Sequence, residues 1–259
     1  MIPKKIHYCW MSDSPFPENI RRCMDTWREK LPDYELIHWS YRNFPRGKSK
    51  WVDAAFDAGK FAFAADYIRL YALYHEGGIY LDTDVEVVKS YDDLLGLPYF
   101  LGWENPRSGV EAATMGFAKG SELARRVLAQ YDAMEFSADG EFLHSHIAPA
   151  MFMRGCGRRV QEIASPAEFI DDDAVLNVLP PEYFSPKEWK SGRVVLTKNT
   201  YSIHQFNGNW LNLGGKLQKW LGNHGHPLLG HYASYFIDRP DRVMARIRQS
   251  LKNKTRRRF

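Results

Sequence analysis

The sequence predicts an α/β fold whose N-terminal half is a parallel, nucleotide-binding sheet. Three observations carry this. Residues 5–10 and 34–39 read as short strands on either side of a helix at 18–31, a strand–helix–strand unit that sets the two strands parallel. Residues 62–75 are apolar nearly all round, which marks a buried helix rather than a surface one. That helix stops at Gly77-Gly78 and leads straight into the apolar run Ile79-Tyr80-Leu81 and an acid pair, Asp82 and Asp84.

At 259 residues, with 44% hydrophobic and 14% aromatic content, the chain has enough apolar material for one large core and too much for disorder. Its three cysteines, Cys9, Cys23 and Cys156, form no C-x-x-C pair, and their odd number argues against a disulfide framework. The start Met1-Ile2-Pro3-Lys4-Lys5 lacks an apolar signal core, and no uncharged run approaches the ~18 residues of a membrane span. The expected compartment is the cytoplasm.

The elements follow in order. Ile20, Met24, Trp27 and Leu31 recur at helical spacing behind Pro17, and 34–39 alternates as a strand. Residues 49–59 supply a further helix before the buried one. Within the buried helix, Asp66 and Arg69 stand at i, i+3 on one face, either as an ion pair that fixes the helix or as members of a site. Gly77 suits a left-handed C-cap, and Gly78 suits close backbone approach. Beyond them, Val85, Val87 and Val88 continue the apolar strand. Residues i and i+2 of a strand share a side, so Asp82 and Asp84 can converge on one hard divalent cation, Mg²⁺ or Mn²⁺. Residues 92–95 begin a short turn or helix, 99–103 and 114–118 read as strands, and 121–131 and 141–153 as helices, the first with Ser121 as N-cap. From 165 to 201, four prolines punctuate short apolar runs in a loop-rich return that covers the site. Asp171-Asp172-Asp173 reads as a solvated turn before a strand at 174–179.

The run Ala65-Asp66-Tyr67-x-Arg69-x-x-x-Leu73-x-x-x-Gly77-Gly78-x-Tyr80-x-Asp82-x-Asp84 resembles the DXD-containing sugar-transferase family. That family holds capsular polysaccharide transferases, Och-type mannosyltransferases and relatives of the glucosylating bacterial toxins. Ile2-Pro3-Lys4-Lys5-Ile6-His7-Tyr8-Cys9-Trp10 is similar to the opening strand of its bacterial capsule-type members. Tyr201-Ser202-Ile203-His204-Gln205-Phe206-x-Gly208-Asn209-Trp210 is similar to its closing segment. The chain departs from the family at Ala65 and Asn209, where Ser is usual; the first removes one possible hydrogen bond, and the second keeps an oxygen.

The resemblance implies a GT-A-like single domain over residues 1–238, a Rossmann-like nucleotide-binding sheet with C-terminal helical and loop additions. It implies a retaining glycosyltransferase that takes a UDP- or GDP-linked sugar to a carbohydrate or lipid-linked acceptor in bacterial surface or capsular polysaccharide synthesis. Asp82 and Asp84 are then the catalytic acids, and Asp82, Asp84, His204 and Asn209 the candidate ligands for Mn²⁺ or Mg²⁺. Trp10, Asp66, Arg69, Asp82 and Trp210 are the donor-binding candidates, with Trp10 stacking on the base at the end of the first strand. Two other readings stay open. One is a metal-dependent phosphohydrolase with Asp82 as nucleophile and residues 171–173 as its second metal motif; the other is a non-catalytic glycan-binding relative.

The net charge of +4 is unevenly spread. Residues 239–259 hold nine Lys and Arg and one Asp, a surplus of +8 that leaves −4 for the rest. Val243, Met244, Ile247 and Leu251 form one apolar stripe among arginines, ahead of a basic tail. A basic amphipathic helix and tail of this kind suits an anionic membrane surface, and no recognition motif for nucleic acid accompanies the charge.

Overall fold

The computed structural model describes residues 1–207, apart from 108, 140, 141, 143–147, 156 and 190. The expected helix and tail at 239–259, like Asn209 and Trp210, lie outside the described residues. The chain divides into two compact units: Met1–Lys187 with Val195–Gln205, and Glu188–Val194 with Phe206–Phe259. In the second, the described residues include a tight loop in which Gly192 N–H donates to Glu188 O at 2.8 Å and Glu188 N–H to Arg193 O at 2.9 Å.

The first unit is α/β, as expected. Its elements run β1 (Lys5–Cys9), α1 (Glu18–Lys30), β2 (Glu35–Trp39), α2 (Lys50–Asp57), α3 (Phe61–Glu76), β3 (Gly78–Leu81), β4 (Val85–Val87), β5 (Tyr99–Phe100), β6 (Thr114–Phe117), α4 (Glu122–Asp132), α5 (Ala148–Gly155), β7 (Arg159–Glu162), β8 (Val175–Val178) and β9 (Ser202–His204). The five-stranded sheet has the order β2-β1-β3-β6-β5. β2, β1 and β3 are parallel, the Rossmann-like half, and β6 and β5 add antiparallel strands on the far side of β3.

β3 lies at the centre, and all four of its residues are buried. Side chains alternate across a strand. Tyr80 therefore packs on one face with Trp51, Tyr67, Ile68, Met115, Tyr131 and Phe152, while Ile79 and Leu81 pack on the other with Ile6, Trp27, Val85 and Phe184. Both faces of the strand being covered explains why it reads as a continuous apolar run. α3 sits within the first of these cores, and Phe63 to Leu70 is buried without a break, Asp66 and Arg69 included.

The glycine stop acts through geometry. Gly77 has φ 67 and ψ 177, outside the left-handed helical region expected for it and in a region essentially reserved for glycine. A Cβ there would meet Lys119 N at 2.7 Å. Gly78, at φ 117, would put a Cβ 2.8 Å from Lys5 O, the close backbone approach expected. His7 adds a tie at the same corner, bonding Gly77 O through Nε2 at 2.8 Å. Gly77→Ala is accordingly expected to cost at least about 1–3 kcal/mol from backbone strain alone. Urea unfolding checks it, and an unchanged midpoint would show that the corner relaxes without strain.

The chain after β3 corrects the expectation of one strand through the acid pair. Asp82 N–H still extends the ladder, to Ala113 O at 2.9 Å, but Val85 N–H closes on Asp82 O at 2.9 Å, so residues 82–85 form a turn. Val85–Val87 leaves the main sheet and pairs antiparallel with β9. Two hydrogen bonds draw it away: Trp27 Nε1 donates to Val85 O at 2.7 Å, and Val87 N–H donates to Thr26 Oγ1 at 2.8 Å, both from α1.

The return from 165 to 201 holds β8 and a short helical turn at Pro166–Glu168. β8 pairs parallel with β7, a strand the sequence does not announce. Among the described residues, no helix is long and apolar enough to cross a membrane.

Candidate functional site

The site forms where three segments meet: the C-terminal end of β3, the start of β4 and the end of β9. Val85 is the register partner of His204 in the β4–β9 pair, so the residue before Val85 is brought beside that histidine. One ligand atom each from Asp82, Asp84 and His204 lies within 4.8 Å of the others. The two acids thus converge as expected, by a turn and a second small sheet rather than by the pleat of one strand. Their side chains stay partly open, 29% exposed for Asp82 and 14% for Asp84, against 15% for His204.

His204 is held at both ring nitrogens. Nε2 lies 3.6 Å from Asp84 Oδ1, and Nδ1 lies 3.3 Å from Glu111 Oε2. Glu111 is buried and also accepts Ala113 N–H on Oε1 at 2.7 Å. Burial works against charge on the imidazole, yet the Glu111 and Asp84 carboxylates outweigh it and push His204 up to about 10. Two carboxylates and an imidazole are a suitable donor set for Mn²⁺ or Mg²⁺, and a divalent ion would take the place of the imidazolium proton.

Behind this cluster sits a second charged group. Arg69 Nη2 pairs with Asp66 Oδ1 at 2.8 Å and lies 3.5 Å from Asp82 Oδ1. Its Nη1 donates to Ala112 O at 2.6 Å, and its guanidinium lies 4.6 Å from the centre of the Tyr80 ring. Tyr80 donates its hydroxyl to Asp82 Oδ1 at 2.9 Å. Asp66 Oδ2 accepts Ala148 N–H at 3.0 Å. Burial raises the Asp66 carboxyl to about 6, with Arg69 opposing the rise. Burial also raises Asp82, Arg69 opposing and Asp84 adding to it. Asp66 and Arg69 therefore tie α3 to the segments at 112 and 148, and through Asp82 they also touch the acid pair. Cys9 stands near the same charges, and burial pushes its thiol up to about 12, so it stays protonated and is no nucleophile at neutral pH.

Trp10 follows β1 and is half-buried rather than core. Its indole packs against Phe16 at 4.9 Å between ring centres and donates Nε1–H to Ser14 O at 3.3 Å. Of the expected ligand and donor-binding residues, Asn209 and Trp210 lie outside the described residues. Residues 171–173 are exposed: Asp173 pairs with Arg158 at 2.8 Å, and Asp172 accepts Ala174 N–H at 2.8 Å. They form the solvated turn expected, and none belongs to the ligand cluster found among the described residues. The phosphohydrolase alternative thereby loses its second motif.

Glu111, Tyr80 and Lys187 are the site neighbours that reasoning from sequence missed. Glu111 carried a signal, an acid inside the apolar run Val110 to Phe117. Lys187 donates Nζ to Gln205 O at 3.1 Å and Oε1 at 2.8 Å, while Gln205 N–H donates to Asp84 O at 3.0 Å. Burial pulls the Lys187 ammonium down, against the carboxylates of Asp84 and Glu86.

Residues 17–101 match the family described as the glycosyltransferase sugar-binding region containing DXD motif. The acid pair, Asp66 and Arg69 fall inside that segment. The chain is 33% identical over 140 residues to inositol phosphoceramide mannosyltransferase 3 of Schizosaccharomyces pombe, covering 52% of this chain and 39% of that one. It is 33% identical over 123 residues to mannosyl phosphorylinositol ceramide synthase SUR1 of Saccharomyces cerevisiae, covering 45% and 31%. The chain thus spans well under half the length of these curated relatives. Among solved structures, the PaToxG glycosyltransferase aligns with a TM-score of 0.46 and 21% identity, over 60% of this chain and 69% of that one. The resemblance to the DXD sugar transferases is borne out by the segment match and the mannosyltransferase relatives, and the fold class rests on the sheet described above.

Proposed function

We propose that this protein is a metal-dependent, retaining glycosyltransferase that moves a sugar from a UDP- or GDP-linked donor to a glycan or lipid-linked acceptor. The observation that carries the reading is the Asp82–Asp84–His204 cluster at the C-terminal end of a parallel strand, where sheets of this kind receive nucleotides. Asp84 and His204 would hold Mn²⁺ or Mg²⁺ directly, with Asp82 contributing through water or toward the donor ribose. When bound, the ion supplies charge neutralisation for the departing nucleoside diphosphate.

The remaining tasks fall to the chain itself. Arg69, fixed by Asp66 and Ala112 O and set beside Asp82, would with Asp66 orient the donor sugar hydroxyls. Trp10 offers an aromatic face at the end of β1 for the base. Mannose is the first donor sugar to test, because the fungal relatives are named as mannosyltransferases. Their names also carry an inositol-phosphate ceramide, a lipid, which supports a lipid-linked acceptor here. The role in bacterial surface or capsular polysaccharide synthesis rests on the capsule-type opening segment, Ile2 to Trp10. The test is incubation with Mn²⁺ and a panel of UDP- and GDP-sugars, with released nucleoside diphosphate and thermal shift as readouts. Metal-dependent release from one donor is expected. No shift and no release across the panel would sink the reading.

A cytoplasmic enzyme with a lipid-linked acceptor must reach the inner membrane face, and the basic segment at 239–259 suits that task. Each well-placed basic residue adds about 1 kcal/mol of attraction to an anionic surface. Deleting 240–259 is expected to leave donor hydrolysis intact and release the protein from anionic vesicles in a sedimentation assay. Equal co-sedimentation with and without the segment counts against this role.

A further inference from the structure

We infer that Glu111 is the positioning residue that fixes the His204 tautomer and so makes Nε2 the metal-binding nitrogen. This rests on the metal-dependent reading above. The argument needs only donors and acceptors. Glu111 Oε1 accepts Ala113 N–H at 2.7 Å, a backbone donor whose direction is set by the chain, and Oε2 lies 3.3 Å from His204 Nδ1. The Glu111 side chain is only 2% exposed, so both oxygens are committed inside the protein. A carboxylate accepts and does not donate. Nδ1 must therefore carry a hydrogen, and in the neutral ring Nε2 is left with its lone pair. Nε2 is the nitrogen on the Asp84 side, 3.6 Å from Asp84 Oδ1.

This is the carboxylate–histidine–metal arrangement in which an outer carboxylate orients the ring and raises its basicity. Glu111 comes from the segment before β6, and His204 from the end of β9, 93 residues apart. The Glu111 carboxylate is buried, and the His204 ring beside it, with Ala113 N–H and the Ser185 hydroxyl, offsets the cost of burying that charge.

Glu111→Gln tests the inference with almost no change of shape. Ala113 N–H requires the amide oxygen, which turns the amide nitrogen, a donor, toward Nδ1. Nδ1 must then accept, and the ring proton moves to Nε2, facing the cation position. Mn²⁺ titration without donor, followed by electron paramagnetic resonance, is expected to show affinity reduced about 10–100-fold, with circular dichroism unchanged. In parallel, ¹⁵N-histidine spectra of the wild-type protein with Mg²⁺ are expected to show His204 protonated at Nδ1 and perturbed at Nε2. A folded Gln variant with wild-type Mn²⁺ affinity overturns the inference. So does a wild-type spectrum with the proton on Nε2, which decides the matter even where the variant fails to fold. If the wild-type protein binds no divalent ion, the metal-dependent reading fails first and this inference falls with it.

Discussion

Asp84→Asn is expected to abolish sugar transfer, with a loss of about 10³-fold or more, while the protein stays folded. The loss follows from charge. In the wild-type protein, two carboxylates and an imidazole present ligand atoms within 4.8 Å of one another, and Asp84 is the acid that faces His204 Nε2. An amide keeps the shape and one acceptor but removes the negative charge that balances a divalent ion. Groups aimed at developing charge in a dry site are each worth roughly 10²–10³ in rate, and an ion worth several kcal/mol adds to that. Folding should survive, because the backbone around residue 84 is held independently: Gln205 N–H donates to Asp84 O, and Val85 to Val87 pair with β9. The assay is nucleoside diphosphate release at several Mn²⁺ concentrations beside a Mn²⁺-binding titration. Full activity of the variant at low Mn²⁺ would falsify the ligand assignment.

Much of this arrangement was legible in the residues. α1, α3 and α4 fall within one or two residues of their expected bounds, because their apolar positions repeat with a helical period or, in α3, fill every side. β1 and β2 announce themselves through the strand–helix–strand spacing. The turn at 82–85 did not, since Val85, Val87 and Val88 carry the same period-two signal whether the strand continues or restarts in another sheet. The hydrogen bonds with Trp27, which donates to Val85 O, and Thr26, which accepts Val87 N–H, come from 58 and 61 residues away and decide between the two. β7 was hidden for the opposite reason: Arg159-Val160-Gln161-Glu162 is largely polar and none of it is buried, so pairing with β8 leaves little trace in composition. In the site, the acid pair and the histidine were visible as motifs, whereas Glu111 belongs to no motif. Its meaning comes from a partner 93 residues away, and a lone buried acid reads the same with or without one.

Arg69→Met is expected to destabilise the protein by about 3–5 kcal/mol, the range for removing one partner of a buried ion pair. The methionine replaces the stem, but Asp66 loses the cation 2.8 Å away, Asp82 the one at 3.5 Å, and Ala112 O its donor. The defect should depend on pH, and the sign follows from Asp66. Its carboxyl is raised to about 6 from an ordinary 3.8, with burial raising it and Arg69 holding it down. A raised acid subtracts stability: the penalty is absent below the ordinary value, grows as pH climbs to the folded value and is complete above it. Without Arg69 the folded value rises further, so the penalty keeps growing over a wider range. The gap between wild type and variant is therefore expected to be larger at pH 8 than at pH 5, read by urea unfolding at both. A gap of equal size at the two pH values rules out the ion-pair account. Arg69→Lys then separates structure from recognition. An ammonium restores charge beside Asp66 but cannot reproduce the planar fork that reaches Ala112 O and lies beside Asp82 at once. Stability should recover in part, while discrimination among donor sugars stays impaired and binding of the free nucleoside diphosphate is spared. If stability and sugar discrimination both return to wild-type levels, the fork is not what reads the sugar.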